Sequence, residues 1–197
     1  FYIFFIWFKL VVNFTIVDKK NTKKYKLTQF SHGAGWACKL SQSDLSQVLG
    51  NLNVNFPKGT IGFDSSEDCA VYPINEDTLI LQSVDFFTPI VDDPFTFGQI
   101  AAANSLSDIY AMGGKPIYAL NIAEFPSDEI PLSVLSEIME GGLNIANKAQ
   151  IPILGGHTIK DKVPKYGLVV TGEVNKKNLT LNSKAKAGDV LILTKPI

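Results

Sequence analysis

The stretch VDFFTPIVDDPFTFGQIAAANSLSDIYAMGGKP, residues 84–116, holds a strand end, a loop, an entire helix and the turn that stops it. Asp93 before Pro94 predicts a helix start, because a short acid caps free N–H groups and proline suits the first helical position. Gly113-Gly114 predicts the stop. Upstream, CAVYPI (69–74) and TLILQSVDFF (78–87) are apolar, partly β-branched runs around the turn-like 75–77, which predicts two strands. Downstream, PIYALNIAEF (116–125) predicts a strand. A second helix follows from about Pro131 to Gln150, with Leu132, Leu135, Ile138, Met139, Leu143 and Ala146 at helical spacing. IPIL (151–154), YGLVVTGEV (166–174) and DVLILT (189–194) return to strand patterns. The sequence shows no repeat, and the class is mixed α/β or α+β.

The whole chain suits that class. Its 197 residues, 46% hydrophobic with 13 Phe and 6 Tyr, suffice for a real core and against disorder. Eighteen basic against 19 acidic residues leave a net charge of -1, without the electrostatic footprint of a nucleic-acid binder. Two cysteines, Cys38 and Cys69, do not make a disulfide framework or a Cys-x-x-Cys pair, so a reducing, cytoplasmic setting is expected. Residues 1–12 are almost wholly apolar, but they fall short of the ~20 needed to span a bilayer, and no basic stretch precedes them. The polar run DKKNTKKYK (18–26) follows, and residues 1–26 are read as extraneous or disordered, with one domain over 27–197. The end, DVLILTKPI, predicts that the chain is the N-terminal portion of something longer.

Three acids sit in surroundings unusual for surface carboxylates. Asp68 opens an apolar strand, Asp85 closes one, and Asp108 lies in the last turns of an Ala-rich helix, where the helix dipole disfavours an anion. Asn104, four residues before Asp108, shares its face. A divalent cation would relieve that misfit, since Mg²⁺ takes one or two carboxylates plus phosphate oxygens. Spacing alone leaves separate caps or surface acids as the plainer reading. Two glycine-bearing segments can meet phosphates: SHGAGWACK (31–39) and LGGHT (154–158), the second expected as a loop after a strand. Neither matches a P-loop. Cys38 beside Lys39, with His32 nearby, is compatible with a nucleophile, but a buried inert thiol is the commoner case and is expected for Cys69.

Taken in order, LTQFSHGAGWACKL (27–40), EDCAVY (67–72), the 84–116 stretch, LGGHTI (154–159), YGLVVTGEV and AGDVLILTKPI (187–197) resemble the selenophosphate synthetase family. The family belongs to a wider superfamily with the aminoimidazole ribonucleotide synthetases. The resemblance implies an α+β ATP-binding N-terminal domain with a mixed sheet, helices packed on one face, and a homodimer formed through the sheet. It implies ATP and selenide as substrates, Mg²⁺ as cofactor, and products selenophosphate, AMP and phosphate, with neither nucleic acid nor membrane as partner. By resemblance Lys39 contacts the ATP phosphates, Asp68 and Asp108 hold Mg²⁺, and Asp85 joins the same cluster. Ser65, Ser66 and Glu67 line the nucleotide, and Gly156, His157 and Thr158 complete its contacts. The loop at 31–39 is expected to order over the phosphates. Two departures stand out. The family continues past the Thr-Lys-Pro segment into a second domain with a further metal-binding aspartate, which this sequence is expected to lack, and Trp36 stands where the family carries Cys or selenocysteine. Selenocysteine is encoded by UGA, which some genetic codes read as Trp, so Trp36 is read as a translated UGA. The competing readings are a thiamine-phosphate kinase or purine-pathway synthetase, and a non-catalytic homologue that binds nucleotide and regulates selenium or redox metabolism.

Overall fold

The computed structural model describes residues 25–31, 33 and 35–193; the side chains of Trp36, Ala37 and Gln42 also lie outside that description. Two short 3₁₀ turns, Leu27–Phe30 and Gly35–Cys38, precede helix α1 (Gln42–Leu49), which Ser41 caps by accepting from the Asp44 N–H. Strands β1 (Ala70–Pro73) and β2 (Thr78–Phe87) lead into helix α2 (Pro94–Ala111) and β3 (Lys115–Phe125). Helix α3 (Leu132–Lys148), β4 (Ile153–Lys160) and β5 (Lys165–Asn175) complete the sheet. Its strand order is β1-β2-β5-β3-β4, antiparallel throughout except for the β3–β4 pair that α3 connects. This is the expected α+β class.

Alternation along β2 decides which face is covered. Leu79, Leu81, Ser83, Asp85 and Phe87 are buried, and their β5 neighbours Tyr166, Leu168 and Val170 are fully so. Helix α2 covers this face against β2 and β5, and α3 packs on α2. The opposite face leaves Tyr72, Val84, Phe86 and Ile159 exposed, a half-covered pattern that antiparallel sheets permit. The α2 start is as expected: the Asp93 carboxylate accepts from the Thr96 N–H at 2.8 Å, and Pro94 follows. Its stop at Gly113 uses a φ of +73°, which a side chain rarely tolerates. Helices α2 and α3 approach so closely that a Cβ at Gly98 would lie 1.8 Å from the Ile138 carbonyl oxygen. After β5 the chain runs back over the end of α2, where the Thr180 N–H donates to the Met112 carbonyl.

Two expectations need correction. Residues 154–158 are not a loop: the glycine pair lies inside β4, which runs on to Lys160. A Cβ at Gly156 would come within 2.2 Å of the Asn121 carbonyl oxygen, so glycine there lets β4 close against β3 beside a register shift. Residues 190–193 form no strand, because among the described residues no strand pairs with them; Val190, Leu191 and Ile192 are largely exposed. Helix α1 was not foreseen. Its apolar residues Leu45 and Val48 are exposed, so no buried stripe marked it.

Candidate functional site

Past Gln82, β1 no longer pairs with β2, and the free flank of β2 meets the 3₁₀ turn Gly35–Cys38. Lys39 follows that turn and places its Nζ 3.0 Å from Asp85 Oδ1. The Asp85 side chain is 4% exposed and that of Lys39 is 49% exposed, so a buried anion is met by a cation reaching in from the surface. Burying a carboxylate requires such pairing and hydrogen bonds to its remaining oxygen. Asn104 supplies one: its Nδ2 donates to Asp85 Oδ2.

Helix α2 crosses under β2 so that a second tie forms one turn along, where the Ser83 hydroxyl donates to Asp108 Oδ2. Between the two ties, the Ser105 hydroxyl donates to the Asp85 carbonyl at 2.9 Å and accepts from the Leu168 N–H at 3.2 Å. Burial pushes the Asp108 carboxyl above the ordinary carboxylate range, and the charges of Asp85 and Asp68 push the same way. The Ser83 hydrogen bond and Lys39 oppose that rise. The Cys69 thiol is pushed up to about 12 by burial, then by Asp108 and Asp68, and is inert as expected. Asp68, Asp85, Asp108 and Lys39 therefore share one electrostatic neighbourhood, although 40 residues separate the first acid from the last.

Among the described residues, no three acidic, histidine or cysteine side chains come close enough together to form a metal-ligand set. The donor chemistry suits a hard cation held by one or two carboxylates with the balance from phosphate and water, which is the habit of Mg²⁺. The like charges crowding Asp108 give such a cation a reason to bind there.

An open cavity of about 360 Å³ adjoins this cluster, lined by Cys38, Lys39, Asp85, Phe87, Thr88 and Lys165 among others. Ser65, Ser66 and Glu67, expected at the nucleotide, are not among the residues that line this cavity. Ser65 ends a 3₁₀ turn and donates to the Gly62 carbonyl at 2.9 Å, and Ser66 has a φ of +54°. The Glu67 carboxylate accepts from the Asn182 N–H at 2.7 Å, so it anchors the segment that follows β5. Gly156 lies in one row of the sheet with Asn121, Leu168 and Asp85, three strands from the last. That is roughly 14 Å at ordinary strand spacing, so one chain does not bring Gly156, His157 and Thr158 to Lys39. His32 and the Trp36 side chain lie outside the described residues. Sequence reading missed Ser83 and Thr88 as site residues. The signal for Ser83 was its place two residues before Asp85, hence on the same strand face.

Comparison with known proteins agrees with this fold. Residues 66–174 match the family model "AIR synthase related protein, N-terminal domain". A protein of Myxococcus xanthus named selenide, water dikinase is 54% identical over 183 residues, 92% of this chain and 52% of its own length. A protein of the same name from Caldanaerobacter subterraneus is 51% identical over 89% of this chain and 51% of its own. The chain thus spans about half the length of these curated relatives. Among solved structures, thiamine monophosphate kinase from Aquifex aeolicus aligns with a TM-score of 0.51 at 18% identity, covering 67% of this chain and 41% of that one. T. maritima PurL complexed with ADP aligns with a TM-score of 0.51 at 17% identity, covering 60% and 20%. The model match extends over more than half of the chain, from the turn before β1 to the end of β5, and the chain belongs to the AIR synthase related protein family through its N-terminal domain.

Proposed function

We propose that this chain is the ATP-binding portion of a selenophosphate synthetase, which converts ATP, selenide and water to selenophosphate, AMP and phosphate. The curated relatives at about half identity support the reaction. The observation that carries the site is Lys39 on buried Asp85, with Asp68 and Asp108 close enough for their charges to be felt. In phosphoryl transfer the protein mainly positions groups and neutralises charge. Lys39 is half exposed and able to turn toward a phosphate at the cavity mouth, while Asn104 continues to hold Asp85. Asp68 and Asp108 would hold Mg²⁺, which when bound supplies charge neutralisation at the phosphate oxygens. Ser83 keeps the Asp108 carboxylate oriented.

In this reading the exposed apolar sheet face pairs two copies. Gly156, His157 and Thr158 then serve a nucleotide held between copies, which answers their distance from Lys39 in one chain. In this reading the protein works in the cytoplasm. No helix among the described residues is long and apolar enough to cross a membrane. Trp36 favours one second reading, a nucleotide-binding homologue without synthetase activity. The test is selenide-dependent AMP formation by the full-length protein with Trp36, with Trp36→Cys, and with Lys39→Ala added. The synthetase reading expects activity in the Cys form and its loss with Lys39→Ala. ATP binding without AMP formation in the Cys form transfers the site to the non-catalytic reading, and a UGA codon at position 36 would argue against that transfer.

A further inference from the structure

Thr88 is the first residue after β2, is 5% exposed, and stands three positions from Asp85. Three groups of the glycine-rich segment meet at its hydroxyl. The Ser31 hydroxyl donates to Thr88 Oγ1 at 2.7 Å, Thr88 Oγ1 donates to the Gly33 carbonyl at 2.9 Å, and Cys38 Sγ lies 3.2 Å away. A hydroxyl has one proton to give and two lone pairs to offer. The Ser31 hydroxyl also meets the Gly33 carbonyl, so Ser31, Gly33 and Cys38 close one hydrogen-bonded cluster around the Thr88 hydroxyl. The segment is held a second time upstream, where the Thr28 N–H and hydroxyl both donate to Asp92 Oδ1, at 3.1 and 2.6 Å. Thr88 and Asp92 thus hold Thr28, Ser31, Gly33 and Cys38, and Lys39 is the next residue after the last of these contacts.

We infer that Thr88 is a positioning residue for nucleotide binding, acting through Lys39: its hydroxyl fixes Ser31, Gly33 and Cys38 and so delivers the Lys39 ammonium to the Asp85 carboxylate and the cavity mouth. This rests on the proposed ATP site for its affinity arm, and on Cys38 chemistry for an arm independent of it. Valine matches threonine in shape and lacks the hydroxyl, and serine keeps the hydroxyl.

The test compares wild type, Thr88→Val and Thr88→Ser by ATP affinity and by the rate of iodoacetamide alkylation at Cys38. Cys69 is buried and its thiol is pushed up to about 12, and peptide mass spectrometry reads the label at Cys38 itself. Thr88→Val should weaken ATP binding about five- to tenfold, the scale of one lost hydrogen bond, and speed alkylation by a similar factor. Thr88→Ser should restore both. In a Lys39→Ala background Thr88→Val should leave ATP affinity unchanged, since the group it positions is gone. A valine variant with unchanged alkylation and ATP affinity overturns the inference, as does a valine effect that adds in full to Lys39→Ala. If Thr88→Val does not fold, Ser31→Ala removes one of the three contacts and is read on the same thiol, with unaltered alkylation counting against the hub. If wild type binds no ATP, the proposed function fails while the alkylation arm still judges Thr88.

Discussion

Asp85 is a fully enclosed carboxylate whose two oxygens are met by Lys39 and Asn104. Removing a partner from such a group costs more than the pair is worth, because an uncompensated charge stays inside. Lys39 is half exposed, so water takes up part of that loss. Lys39→Ala should therefore lower stability by about 1–2 kcal/mol in urea titration, and adding Asp85→Asn should recover most of it. Recovery failing in the double variant would mean that Lys39 acts on stability through other contacts. Tyr166 offers a second check. Burial pushes its phenol above its ordinary 10.0, while its hydroxyl donates to Asn121 Oδ1 at 2.7 Å. The folded state then holds this proton more tightly than the unfolded chain. Its stabilising contribution is complete below pH 10 and is lost as pH rises from there through the raised folded value. Urea midpoints measured between pH 9 and 11 should fall above 10, and Tyr166→Phe should flatten that fall. The meeting of Asp68, Asp85, Asp108 and Lys39 was legible only through the family resemblance, since spacing alone also suited separate surface acids. Thr88 was not legible at all: its role depends on which turn lies beside it, and that is decided by where β1 stops pairing.

At the scale of elements, α2 is the piece both sheet and α3 depend on. Gly98→Ala places a methyl against the Ile138 backbone oxygen, a group that no rotamer change can move away. Overpacking of this kind costs typically 1–3 kcal/mol, and the helix pair must separate to relieve it. Thermal denaturation should show a drop of roughly 2–4 °C per kcal/mol lost, with helical circular dichroism kept at low temperature. An unchanged melting temperature would mean that α2 and α3 do not pack through this glycine. Helix α2 was readable because its signals are local, an acid and a proline at one end and glycines at the other. Strand β4 was misread for the opposite reason. A glycine pair reads as a turn by itself, and only pairing with β3 draws it into extended form.

At the scale of the molecule, the sheet has one face under helices and one face open, with Val84 55% and Phe86 38% exposed. Exposed apolar patches of this sort mark interaction surfaces. In the proposed dimer Val84→Glu should shift sedimentation velocity from dimer to monomer while leaving the far-ultraviolet spectrum intact, because the residue contributes nothing to the helix-side core. A monomeric wild type would remove the dimer from the proposal.

The sheet order also governs how the chain is made. Beyond β1, β2 has one strand neighbour, β5, and a contact such as Gln82 Nε2 to Thr171 Oγ1 joins residues 89 positions apart. During synthesis, TLILQSVDFF must therefore wait, apolar and without that partner, until the chain has been extended through residue 175. The β3–α3–β4 unit closes over a much shorter loop and is free to form first. The strand carrying Asp85 is consequently among the last to be secured, and the nascent protein is most exposed to misassociation in the interval when its future site does not yet exist.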